Sequence, residues 1–169
     1  MNPLRTELEA LKVPQTILEG NLERGVCYLL KDESPRRLFE IFSHLSEFYK
    51  TLLISRVYPE KLEREFEFHS KMCWLSNVEN GESIDPNQLD KLGWIILDFM
   101  QKNQNSLILL DGIEYLISEN DFLSVLKMIH YLRDYAVLNN AILFIPISPK
   151  TLKERELKLL ERETASFEW

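Results

Sequence analysis

A chain of 169 residues with 45% apolar and 28% charged residues has the size and make-up of one soluble globular domain, able to bury about two-thirds of its unfolded surface. Its formal net charge of −7 argues against a nucleic-acid or anionic-membrane role, because phosphate groups are bound through a basic face of Lys and Arg. No apolar run approaches a membrane span and the opening MNPLRTELEALK is too polar for a secretory signal, so a cytoplasmic protein is expected.

Asn2 followed by Pro3 reads as a helix start, and Leu4, Leu8 and Leu11 then fall at helical spacing until Pro14 ends the segment. Residues 1–20 are therefore set apart as an amphipathic N-terminal segment that must cover a surface, either on its own domain or on a partner. The stretch from Gln15 to Gly25 is turn-rich, with a possible edge strand at Thr16 to Leu18. Residues 21–163 read as a single α/β domain and 164–169 as a tail.

Within that domain strand and helix alternate. Val26 to Leu30 is the first expected strand, followed by a helix opened by Ser34-Pro35 that carries Leu38, Phe39, Ile41, Phe42, Leu45 and Tyr49 inward. TLLIS, Thr51 to Ser55, is the second strand, and a charged helix from Pro59 to about Phe68 follows. MCWLS, Met72 to Ser76, is the third. A polar loop then leads to Asp85-Pro86 and a helix to Lys102 with Leu89, Leu92, Ile96, Leu97 and Met100 on one side. Leu107 to Asp111 is the fourth strand, an apolar run that ends on a carboxylate. A long helix from about Asp121 to Leu138 leads to the fifth strand, AILFIPI, Ala141 to Ile147. A charged helix from Pro149 to about Glu163 closes the domain, and its Leu152, Leu157, Leu159 and Leu160 form a narrow seam of the kind that can also make dimer contacts.

These strands are near-continuously apolar, as strands covered on both faces are. Alternation with helices of ten or more residues then implies right-handed crossovers and a mainly parallel sheet. The expected architecture is a three-layer α/β/α domain with five strands. Cys27 and Cys73 lie in apolar strand-like surroundings and read as buried thiols.

The chemistry is harder to read. Ligands of parallel sheets sit outside the carboxyl ends of the strands, which makes Asp111 the first candidate, with Gly112, Glu114 and Tyr115 after it. Phosphate binding needs a Gly-rich loop whose N–H groups close around the anion, and none of the five glycines lies between the first strand and its helix. That turn reads Lys31-Asp32-Glu33-Ser34-Pro35, which puts two carboxylates where phosphates would sit. There is no G-x-S-x-G elbow, and His44, His69 and His130 are scattered. Asp32 and Asp111 both end strands and could converge as in phosphorylated receiver domains, with Lys150 after the last strand. Asp32, Asp111, Gly112, Glu114 and Tyr115 are the candidate ligand or partner patch. No catalytic residue, metal ligand or resident cofactor is assigned, with ATP and magnesium near Asp111 as the alternative.

The segments DGIEYLISEND and FIPISPKTLKERELKLLERE, with YLLKDESPRRLFEIF and the LLISR strand, resemble the archaeal domain-of-unknown-function family 835 from about Gly25 to Glu163. The resemblance implies an archaeal source, occurrence alone or joined to sensory and membrane segments, and no catalytic residue. The layout also looks like a P-loop ATPase core of the RecA and KaiC kind without its phosphate loop, with Asp111 where the second nucleotide motif ends. That likeness implies a strand order 3-2-4-5-1, against 2-1-3-4-5 for a flavodoxin-like or receiver-like fold. The expected function is a non-catalytic protein-interaction or signalling module that docks on a protein partner or forms a homodimer, with no nucleic acid. The alternative is a nucleotide- or metal-binding domain.

Overall fold

The computed structural model describes residues 22–31 and 35–166. The amphipathic segment with Leu4, Leu8 and Leu11, the edge strand at 16–18, Asp32 and the helix start at Ser34 lie outside the described residues.

The elements in chain order are β1 (Val26–Lys31), α1 (Pro35–Leu45), β2 (Lys50–Ser55), α2 (Pro59–Glu65), β3 (Ser70–Leu75), β4 (Ser83–Ile84) and α3 (Leu89–Lys102). Then come β5 (Ser106–Leu110), α4 (Ile113–Glu119), α5 (Phe122–Asn139), β6 (Ile142–Ile147), a 3-10 turn (Pro149–Thr151), α6 (Glu154–Glu163) and β7 (Ala165–Ser166). Among the described residues every strand pairing is parallel.

Among the described residues the sheet has seven strands where five were expected, in the order β4-β3-β2-β5-β6-β1-β7, so neither the count nor the order of the whole sheet is the expected one. The two short strands lie at the two edges, outside the run β3-β2-β5-β6-β1. Each is two residues long, SI and AS, too short for any periodicity to announce it. β4 exists because the loop after β3 folds back, with Trp74 N–H donating to Glu82 O at 2.7 Å and Ser76 N–H to Ile84 O at 3.1 Å. β7, within the stretch read as a tail, pairs with β1 at Tyr28 and Leu29. The receiver-like order is absent too, since β1 lies between β6 and β7 rather than between β2 and β3.

The apolar runs split by parity between two cores. On one face, Tyr28, Leu30, Leu53, Leu107, Leu109, Ile142 and Phe144 pack with Leu38, Phe39 and Phe42 of α1 and Leu62 of α2. On the other, Cys27, Leu29, Leu52, Ile54, Ile108, Leu110, Leu143 and Ile145 pack under α3, α4, α5 and α6. Alternate residues of a strand point to opposite faces, so a run apolar at every position is what two covered faces require. Pro146 sits in β6 past Phe144, the last residue paired to β5, so its missing N–H removes no bond from that ladder.

The leucine seam of α6 faces inward. Leu160 is fully buried, and Leu152, Leu157 and Leu159 pack against the same core as α5. Ion pairs hold the helix there: Lys31 to Glu161 at 2.6 Å and Arg133 to Glu163 at 2.9 Å. The seam is therefore not an open dimer contact. Cys27 is buried and its thiol is pushed up to about 12 by desolvation, whereas Cys73 is only partly buried.

Leu109 is fully buried in the strand between β2 and β6. Leu109→Asp places an unpaired carboxylate in the sheet interior and should cost roughly 4 kcal/mol or more, comparable to the whole stability of a small domain. Circular dichroism and urea denaturation of the purified variant should show little or no cooperative unfolding transition.

Candidate functional site

The connections leaving β1 and β2 run over the face covered by α1 and α2, and those leaving β3, β5 and β6 run over the opposite face. β2 and β5 are neighbours that send their chains to opposite sides, and a crevice opens at the carboxyl ends of such a pair. Pairing of Ile54 with Leu110 brings Ser55 and Asp111 side by side at that point.

Ser55 Oγ donates to Asp111 Oδ2 at 2.7 Å and accepts the Val57 N–H at 3.0 Å. The Asp111 N–H continues the sheet by donating to Ile54 O at 2.8 Å. Burial raises the Asp111 carboxyl above its ordinary range, the Ser55 hydrogen bond opposes this, and the nearby Glu114 charge adds to the rise. Glu114, in the first turn of α4, accepts the Ser148 N–H on Oε1 at 2.8 Å and so ties α4 to the exit of β6.

Gly112 joins β5 to α4 with φ +121°, a conformation that L side chains rarely adopt. A Cβ there would lie 2.9 Å from Leu75 Cδ1 and 3.4 Å from Arg56 Cγ. Arg56 covers the end of the sheet: its guanidinium lies 3.7 Å from the Tyr115 ring centroid, and Nη1 donates to Leu75 O at 2.8 Å. Trp74 Nε1 donates to Arg56 O at 3.1 Å, and the Trp74 ring meets Tyr58 edge-on with centroids 5.0 Å apart.

Four of the candidate residues, Asp111, Gly112, Glu114 and Tyr115, thus meet at the carboxyl ends of β2, β5 and β6, while Asp32 lies outside the described residues. Sequence reasoning missed Ser55, Arg56, Trp74 and Ser148. Ser55 and Arg56 end the TLLIS run as Asp111 ends its own, which is the signal that was there to use. The patch is an interlocked polar cap: Ser55 holds Asp111, Glu114 holds the Ser148 N–H, and Arg56 holds Leu75 O and lies on Tyr115. Among the described residues no group of three or more His, Cys, Asp or Glu could hold a metal ion. Two grooves among the described residues lie elsewhere. One, of about 1010 Å³, runs between α3 and α5, and a polar one of about 350 Å³ lies beyond β3 and β4.

Two outcomes follow from this geometry. A carboxyl whose folded-state pKa is raised stabilises the fold below its ordinary range and loses that contribution as pH rises through the folded value. Asp111→Asn keeps an acceptor for Ser55 without the buried charge, so its melting temperature should gain on the wild type as pH rises from the ordinary carboxylate range towards neutrality. Parallel melting curves across that range would contradict the assignment. Gly112→Ala should destabilise by about 1–3 kcal/mol through the left-handed φ and the Leu75 contact, as read by urea denaturation.

No curated protein matches the chain. The family described as "Protein of unknown function (DUF835)" matches residues 31–164, which covers β2 to β6, the six described α-helices and the cap residues Ser55, Arg56, Asp111 and Glu114. Over that span no helix among the described residues is long and apolar enough to cross a membrane. The chain belongs to the DUF835 family.

Proposed function

We propose that this domain is a non-catalytic protein-interaction module, of use in signalling, built on a P-loop-NTPase-like sheet without a phosphate loop. The observation that carries this reading is the state of the crevice between β2 and β5. A ligand-binding sheet leaves polar groups at that point for the ligand. Here the Ser55 hydroxyl is spent on Asp111, Glu114 is spent on the Ser148 N–H, and Arg56 lies flat on Tyr115. A buried carboxylate pushed towards its neutral form is also a weak ligand for magnesium, which binds ionised oxygen donors. Large apolar side chains are exposed elsewhere, on α3 and α5: Trp94, Leu123, Tyr131, Val137 and Leu138. Where such side chains gather into a contiguous patch they mark contacts with other proteins, and Leu123, Tyr131 and Leu138 recur along one side of α5. The net charge of −7 favours a protein partner over nucleic acid.

The second reading, nucleotide or metal held near Asp111, is favoured by one thing only, the position of that carboxylate at the switch between β2 and β5. Thermal melting with ATP and magnesium separates the two. A site at one hundred times its dissociation constant adds about 2.7 kcal/mol, which is roughly 5–10 °C for a domain of this size. The expected result is no shift. A shift of that size, lost in Asp111→Asn, would establish the second reading.

A further inference from the structure

α5 buries Val125, Leu126, Met128, Ile129, Leu132 and Ala136 against the sheet. A surface helix is ordinarily polar on its other side. The solvent side of α5 instead carries Leu123, 61% exposed, Tyr131, 42% exposed, and Leu138, 75% exposed. Between them stand Lys127, His130 and Asp134. At 3.6 residues per turn these six positions share an arc of about 100°.

The order along that stripe is leucine, lysine, a His130-Tyr131 centre, aspartate, leucine. It reads the same in shape and opposite in charge from the two ends. We infer that the partner on this face is a second copy of the chain, with two α5 helices packed antiparallel about a two-fold axis between His130 and Tyr131. Leu123 of each copy then meets Leu138 of the other, and Lys127 of each meets Asp134 of the other. His130 and Tyr131 meet at the centre. An isologous interface needs this self-complementarity, because whatever residue i offers j must be returned by j to i. A parallel pairing would set Lys127 against Lys127. Two chains of charge −7 repel at long range, and within the stripe one Lys127 and one Asp134 per copy offset each other, while Glu163 of α6 lies 3.4 Å from His130 Nε2 and also pairs Arg133. Trp94, 61% exposed on α3, lies across the groove of about 1010 Å³ from Tyr131 and extends the apolar surface beside the axis.

The inference rests on the interaction reading and names its partner. The test is light scattering of the full chain at tens of micromolar, for the wild type, Lys127→Glu, Asp134→Lys and the double variant. These are exposed positions, and unchanged circular dichroism verifies the fold of each. The wild type should be a dimer, each single reversal should weaken it about tenfold by setting like charges together at two symmetric places, and the double variant should restore it. Leu138→Asp should also give a monomer. A monomeric wild type overturns the α5 pairing, as does a dimer that neither single reversal weakens. Either result leaves the interaction reading in place, since that reading falls to a nucleotide shift and not to an oligomeric state.

Discussion

A parallel sheet carries its hydrogen-bonding groups in its own plane and must keep water from both of its faces, so its strands are held only when helices cover them on two sides. β5 is where that requirement is strictest. All five of its residues are buried, with Leu107 and Leu109 in one core and Ile108 and Leu110 in the other. Both cores depend on this strand, and the rest of the chain is arranged to cover it. α1 and α2 do so on one side, and α3 to α6 on the other. The first residue that can leave this apolar layer is Asp111, which is why a carboxylate stands at the strand end and why what surrounds it takes the form of a cap.

The strands were legible where their side chains had to fill both layers. VCYLLK, KTLLIS, SLILL and ILFIPI are apolar at nearly every position, and the helices between them show one apolar face. Asp121 was legible as the start of α5, because its carboxylate accepts the Ser124 N–H at 2.8 Å. Several boundaries were not. α2 stops at Glu65 because Phe66 turns to an extended conformation to reach Phe39, and Phe68 then packs on Phe42. α3 starts at Leu89 rather than Pro86 because Asp85 Oδ1 accepts the Asn87 N–H and holds a turn. The leucines of α6 read as the narrow seam of a surface helix, of a kind that can also make dimer contacts, since spacing alone cannot say which neighbour takes an apolar face. Of the cap, Asp111, Gly112, Glu114 and Tyr115 were visible because they interrupt an apolar run. Ser55, Arg56 and Trp74 arrive from other strands, and only the register of β2 against β5 and β3 brings them there.

Interlocking at the strand ends and openness on the outer helices belong to different parts of the molecule. The cap joins four segments of chain: the ends of β2 and β3, the start of α4 and the exit of β6. Its hydrogen bonds are to neighbours within the domain, so they fix the loops relative to the sheet. α3 and α5 pack on each other and on the sheet below, and leave their outer surface to whatever approaches. A rigid base of this kind lets a helix surface serve as a binding face with little ordering cost, because its backbone is already held.

The place of β1 in the sheet has a consequence for how the chain is made. β1 is the first strand described, yet its two neighbours are β6 and β7, so about 110 residues separate it from the nearest strand it can pair with. At ribosomal rates that interval is on the order of ten seconds, during which Val26 to Lys31 has been synthesised and has no ladder to join. β2, β3 and β5 can assemble in that time without it. An apolar strand waiting unpaired is an edge open to other chains. Release of β6 from the ribosome closes that interval, and the domain is completed from its last strands inward to its first.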